Sequence, residues 1–300
     1  MFTLQLLGTA AGGGFPQWNC ACALCDSSRR DPVRCTPRLQ LQAVVRSHGR
    51  NVLLNAGPDL RVQIETTPTL QPRSADGRRN TPIDGIVLTS ADLDQVLGLL
   101  LMREFQPLRV YATPLVRRVL EANSFFRMLE RVPQQLTWVT MLPGEPFELL
   151  PGITCKAIPM SDDLPYYAKS FGASAEPGQA VVGLVLASEE RKVLYTPAVG
   201  HISEALYREY AAADAIAVDG TFWSDDELQR AQPGTPLARE IGHIPMSGEE
   251  GMMAQLAELR GPRKVFVHLN NTNPILDRQS DERKAVLAGG WEIAEDGWEL

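Results

Sequence analysis

Three cysteines stand within six residues, in Cys20-Ala21-Cys22-Ala23-Leu24-Cys25. Thiolates that close can wrap one tetrahedral zinc ion, each at about 2.3 Å, with a fourth ligand drawn from elsewhere. A free cysteine is ordinarily a small buried hydrophobe. That plain reading suits Cys35 and Cys155, but not three clustered cysteines in a loop rich in Gly, Pro and Asn. The chain has five cysteines, an odd number. In a reducing compartment such clustering points to metal rather than to a disulfide framework. The expectation is a structural zinc that ties an N-terminal loop, at about residues 17–35, to a distant segment, because its binding free energy becomes folding free energy.

A second set of groups lies at the ends of apolar runs. Asp92 and Asp94 follow Ile86-Val87-Leu88, and Asp219 follows residues 215–218. His268 follows residues 265–267 and leads into Asn270-Asn271-Thr272-Asn273-Pro274. One polar residue at such a place means little, since Ser90 or Asp92 could simply cap a helix. Three strands that each deliver Asp or His suggest a shared edge where ligands converge. His and carboxylate together suit Fe(II) with open coordination positions. His243 sits in Gly242-His243-Ile244-Pro245-Met246-Ser247. A loop histidine there can shuttle protons, its reference pKa being near 6.5, or it can orient the loop. His201 reads as structural and His48 as an exposed turn residue.

These groups need elements to carry them. Strands are expected at 3–7, 86–88, 109–111, 136–139, 153–158, 181–186, 192–195, 215–218 and 264–267. Residues 39–45 and 51–55 flank Ser47-His48-Gly49-Arg50 as a hairpin. Leu93, Leu97, Leu100 and Leu101 recur at helical spacing after the Asp-bearing loop. Further helices are expected at 114–129, with Pro114 in the first turn, and at 202–213, 247–259 and 278–287. Ser247 and Glu250 would form a capping box for the third of these. The glycines of residues 8–14 do not fit a dinucleotide fingerprint and read as a tight turn beside a site. Residues 68–82 read as an exposed excursion, and 161–178 as a long loop of the kind that is often functional. No repeat or linker breaks the chain. The pattern predicts one domain over residues 1–300, of α/β class, with two mixed sheets covered outside by helices.

Composition removes several classes. Hydrophobic residues make up 44% and charged residues 22% of the 300, an ordinary globular balance. The formal charge of −7 gives no footprint for nucleic acid or for an anionic membrane. No apolar run of about 18 residues is present, and the first residues lack the pattern of a secretory signal. A soluble, cytoplasmic protein is expected.

Read together, the motifs resemble a known family. Gly8-Thr9-Ala10 followed by Cys-x-Cys-x-x-Cys resembles the start of lactamase-fold phosphodiesterases that carry a structural zinc. Thr89-Ser90-Ala91-Asp92-Leu93-Asp94-Gln95 stands where metallo-β-lactamase-fold hydrolases have His-x-His-x-Asp-His. Asp219 falls at the place of their bridging Asp, and His268 at that of their late metal-binding His. Asp219-Gly220-Thr221-Phe222-Trp223, the His243 string and His268-Leu269-Asn270-Asn271-Thr272-Asn273-Pro274 are similar to the pyrroloquinoline quinone (PQQ) biosynthesis B family, from about residue 2 to the C-terminus.

The resemblance implies a four-layer αββα sandwich, in which two mixed β-sheets are flanked by helices. It implies a role in building PQQ, through iron- and O2-dependent hydroxylation of the tyrosine ring of a peptide-derived Glu–Tyr precursor. The alternative is non-catalytic binding or transport of PQQ or its precursor toward the periplasm. Active-site iron would take Asp94, Asp219 and His268, with Gln95 where many relatives have a histidine. The structural zinc would take Cys20, Cys22 and Cys25, with Asn271 at the position of the fourth ligand. His243 and Asp92 would be the catalytic groups, and Arg103 or Arg61 would meet substrate carboxylates. A homodimer is left open. Ser90 and Asp92 replace the paired histidines of the hydrolases. A two-zinc site needs those rings to hold ions about 3.5–4 Å apart, so the fold does not carry β-lactamase or hydrolase activity with it.

Overall fold

The computed structural model describes residues 2–169 and 177–300. Of the long loop expected at 161–178, residues 170–176 lie outside the described residues. The chain divides into two compact units: Met1–Leu7 with Gln42–Arg191 and Gly297–Leu300, and Gly8–Leu41 with Lys192–Asp296.

In the first unit six strands follow one another across a sheet: β1 (Thr3–Gly8), β2 (Gln42–Ser47), β3 (Arg50–Leu54), β4 (Ile83–Val87), β5 (Leu108–Ala112) and β6 (Leu136–Thr140). β2 and β3 form the expected hairpin, with Ser47 opposite Arg50. Its turn places His48 at φ 49° and Gly49 at φ 77°, the paired positive dihedrals of a tight hairpin. From β3 to β6 the pairing is parallel. Buried Ile86, Leu88, Val96, Leu99, Val110, Leu115 and Val119 share one core with it. Each such side chain contributes about 1.5–3 kcal/mol by leaving water. The unit also holds an antiparallel set, β7 (Pro146–Leu150), β8 (Ile153–Ser161) and β9 (Val181–Ala187). β7 and helix α2 (Leu60–Thr66) are not in the sequence-based reading.

Two helices of this unit are shorter than their apolar spacing predicts. The leucine-spaced segment is α3 (Leu93–Val96) followed by a 3-10 stretch, Leu97–Met102. The cause is the close approach of residues 56–57. Ala56 N donates to Gln95 O at 2.7 Å, and Gly98 N donates to Ala56 O at 2.7 Å. Both groups would otherwise serve the α-helical ladder. A Cβ on Gly98 would lie 2.3 Å from Gly57 O, so only glycine permits this approach. The expected helix at 114–129 ends as α4 (Pro114–Glu121). Asn123 Oδ1 there accepts from Phe125 N at 3.1 Å, which offers the backbone a turn in place of a helix.

The second unit carries four parallel strands, β10 (Lys192–Thr196), β11 (Ala215–Asp219), β12 (Arg263–Val267) and β13 (Glu292–Ile293). Asp219 stands opposite Val267 in the register. Asp219 and the next residue of β12, His268, therefore leave the same carboxyl edge of the sheet, where open parallel sheets place ligands. Its helices are α1 (Ala23–Arg30), α5 (Glu204–Ala211), α6 (Glu227–Ala231), α7 (Met252–Gln255) and α8 (Asp281–Ala288). The helix expected at 247–259 shrinks to α7, with Gly251 as its N-cap. Ser247 Oγ donates to Trp223 O at 2.6 Å instead of capping, so the Ser247–Glu250 capping box is not formed. No helix among the described residues is long and apolar enough to cross a membrane.

Candidate functional site

The cysteine cluster lies within the second unit. Part of the segment read as a loop is helix α1. The Cys22 side chain caps its N-terminus by accepting from Cys25 N at 3.5 Å. One turn of helix thus sets the spacing of two thiols. The ligand atoms of Cys20, Cys22 and Cys25 all lie within 4.8 Å of one another. Asn271 reaches them from the far end of the sequence, its Nδ2 lying 3.2 Å from Cys20 Sγ and 3.4 Å from Cys25 Sγ. Burial pushes the Cys25 thiol up to about 11. Burial also opposes ionisation of Cys20, but hydrogen bonds from Cys22, Cys25 and Asn271 hold it below its ordinary value. Three clustered thiols become thiolates together most readily beside a cation, and a soft tetrahedral ion fits this donor set. As placed, Asn271 donates N–H to sulfur; a half-turn of its amide would present Oδ1 instead. Cys35 and Cys155 are buried apart from the cluster.

The second constellation also lies wholly within this unit. Asp219, His243 and His268 present ligand atoms within 4.8 Å of one another. Asp219 is fully buried. Its Oδ1 accepts from Thr221 N at 3.0 Å and from the Thr221 hydroxyl at 2.6 Å. Its Oδ2 accepts from Val199 N at 2.9 Å and pairs with His243 Nδ1 at 2.7 Å. Burial alone would raise the carboxyl, yet His243, His268 and Thr221 hold it below the usual carboxylate value. His268 Nδ1 lies 2.7 Å from Thr221 Oγ1, and the His243 and His268 rings stack at 5.5 Å. His268 has φ 61°, a left-handed conformation that costs on the order of 1–3 kcal/mol in a non-glycine residue. The next residues hold it there, because Leu269 N donates to Thr9 O and Asn270 N to Thr221 O.

Three residues of this site carry no role in the sequence-based reading. Thr221 touches all three members of the cluster. Asn273, fully buried, donates Nδ2–H to Gly220 O at 2.9 Å and to Thr221 O at 3.3 Å, and approaches Met246 Sδ at 3.4 Å. It thereby ties together the loops that carry Asp219, His243 and His268. Glu227, at the start of α6, accepts from Thr272 Oγ1 and Trp223 N, each at 2.6 Å. Burial pushes its carboxyl up to about 7. Thr221 and Asn273 stand inside the motif strings, but their spacing does not announce a role; Glu227 stands outside them.

Asp92, Asp94 and Gln95 belong to the first unit. Asn55 fixes the loop before them: its Nδ2 donates to Thr89 Oγ1 at 2.9 Å and its Oδ1 accepts from Thr89 N at 2.8 Å. Asp92 occupies the N-cap position of α3 but makes no capping bond. Its Oδ2 instead accepts from Ser90 Oγ at 2.7 Å, so neither residue plays the simple capping role. Gln95 Nε2 donates to Asp94 Oδ2 at 2.8 Å, which turns Oε1 away from the carboxylate. That oxygen is buried with no hydrogen-bond donor among the described residues. Arg103 is half exposed and pairs with Glu104, and Arg61 is exposed.

Comparison with known proteins places the fold. A family model described as "Beta-lactamase superfamily domain" matches residues 50–269. The chain is 40% identical over 301 residues to a coenzyme PQQ synthesis protein B of Methylorubrum extorquens (strain PA1), covering 98% of each. It is 39% identical to one from Klebsiella pneumoniae, covering 98% of this chain and 96% of that one. Among solved structures it is similar to Zn(2+)-bound PqqB from Methylobacterium extorquens, with a TM-score of 0.92 at 39% identity and 99% coverage of both chains. The fold is of the metallo-β-lactamase type, with two mixed sheets and flanking helices, as the motifs predict.

Proposed function

This chain belongs to the coenzyme PQQ synthesis protein B family, within the β-lactamase superfamily, and we propose that it acts in PQQ biosynthesis as an iron- and O2-dependent hydroxylase of the tyrosine ring in a peptide-derived Glu–Tyr precursor. One observation carries this reading: Asp219 and His268 meet through a single hydroxyl, with His243 against the same carboxylate. Carboxylate with imidazole is a donor pairing that suits a single redox ion with open positions, and His243 beside them is placed to move protons. In the sequence Ser90 and Asp92, bonded to each other, replace the paired histidines of the two-zinc hydrolases.

Asp219 and His268 would hold the ion, and an ionised, buried carboxylate is suited to that task. Ferrous iron held there would supply O2 activation for insertion of one oxygen atom into the phenol ring, with two electrons from an external reductant and the other oxygen atom leaving as water. His243, held through Nδ1 by Asp219, exchanges a proton with the substrate phenol. Asp92 would be a second proton-exchanging group, and Arg103 or Arg61 would meet the precursor carboxylates. The cysteine clamp holds structural zinc; a relative with Zn(2+) bound supports a divalent metal in the family. Asp219→Asn and His268→Ala should each lose bound Fe(II) and keep the clamp zinc, read by elemental analysis of purified protein. Retention of iron in both variants contradicts the assignment.

A second reading is favoured by Gln95, since an amide oxygen is a weaker iron ligand than imidazole. The protein would then bind PQQ or its precursor as a non-catalytic carrier. A titration of metal-stripped protein separates the two: a carrier binds the ligand with undiminished affinity, whereas the hydroxylase reading expects weakened binding.

A further inference from the structure

We propose that Thr221 is a positioning residue that selects the Nδ1–H tautomer of His268 and so reserves Nε2 for the metal. The inference rests on the metal reading of this site, but its first test does not need metal. A hydroxyl has one proton and two acceptor lone pairs. The Thr221 hydroxyl lies 2.6 Å from Asp219 Oδ1 and 2.7 Å from His268 Nδ1. It cannot donate to both. The carboxylate, fully buried and held ionised, takes the proton, because an O–H facing an anion makes the stronger, shorter bond. Were the proton given to His268 instead, a hydroxyl lone pair would face a carboxylate oxygen at 2.6 Å. The Nδ1 of His268 therefore brings its own proton, donating to Thr221 Oγ1, and the ring's lone pair resides on Nε2.

The backbone supports the same assignment. Thr221 is 3% exposed, its N–H donates to the same Asp219 oxygen, and its carbonyl accepts from Asn270 N and Asn273 Nδ2. The hydroxyl is thus fixed between the two β-strand ends and orients both ligands at once. Partners that orient a ligating histidine typically change metal affinity about 10–100-fold when removed.

The test uses the full chain with its clamp zinc in place. Imidazole 15N shifts of His268 are read in wild type with the second metal absent, above the ordinary imidazole pKa of about 6.5. The Nδ1–H pattern is expected; an Nε2–H pattern overturns the proposal. Thr221→Val, which keeps shape and loses the hydroxyl, should mix the tautomers and weaken Co(II) binding about 10–100-fold. Thr221→Ser should restore both. Equal Co(II) affinity in wild type and a folded Thr221→Val also overturns it. If Thr221→Val fails to fold, the wild-type tautomer decides alone. Failure of the hydroxylase reading would instead appear as no oxygen transfer by iron-loaded protein with the tautomer intact.

Discussion

At the scale of single residues, Glu227 makes a pH-dependent prediction. Its carboxyl is raised in the fold from an ordinary 4.5 to about 7, so the folded state binds this proton more tightly than the unfolded chain. Stability from this group is therefore present at low pH and is lost as pH rises from about 4.5 to about 7. At about 1.4 kcal/mol per pK unit the effect is on the order of 3 kcal/mol. Glu227→Gln should flatten that stretch of the stability profile, measured by denaturant unfolding at several pH values; an unchanged slope contradicts it. The chemistry of Cys20, Cys22, Cys25, Asp219, His243 and His268 was legible in the sequence, because few structural roles require those residue types so grouped. Thr221 and Asn273 were not, since a buried Thr or Asn declares itself only through the partners the fold brings to it.

At the scale of elements, apolar spacing marked the strands well and the helices poorly. β12 ends where its apolar run ends, with His268 next, whereas β4 stops one residue short of Leu88 and β11 takes in Asp219 itself. The α3 segment failed where another backbone took its hydrogen bonds: Ala56 claims groups of Gln95 and Gly98 that α3 would use. Such competition is long-range and leaves no periodic signal beyond a glycine. Gly98→Ala would set a Cβ 2.3 Å from Gly57 O. It should lower stability by about 2–3 kcal/mol, the upper range for overpacking, read from the urea midpoint. Helix α1 was hidden for a different reason, its N-cap being a cysteine that also belongs to the clamp. Cys25→Ser should lose the clamp zinc and lower the thermal midpoint, and a chelator should do the same to wild type. A midpoint insensitive to both would remove the clamp's structural role.

At the scale of the whole molecule, the fold family was legible because its motif strings are long, whereas the division into two units interleaved along the chain was not. Contacts such as Thr9 with Asp296, 287 residues apart, close the second unit, and nothing local in either segment encodes them. That unit carries both metal constellations, and His268 and Asn271 stand three residues apart on the loop they share. The two centres differ in donor chemistry, sulfur in one and carboxylate with imidazole in the other, which is how one chain can keep a structural and a reactive ion apart. The most direct measurement supplies the protein, zinc in its clamp and Fe(II) added, with the Glu–Tyr precursor, O2 and a two-electron reductant, and follows the precursor by mass spectrometry. The account predicts the gain of a ring oxygen that Asp219→Asn and His268→Ala abolish. An unchanged precursor bound to iron-loaded protein would contradict it.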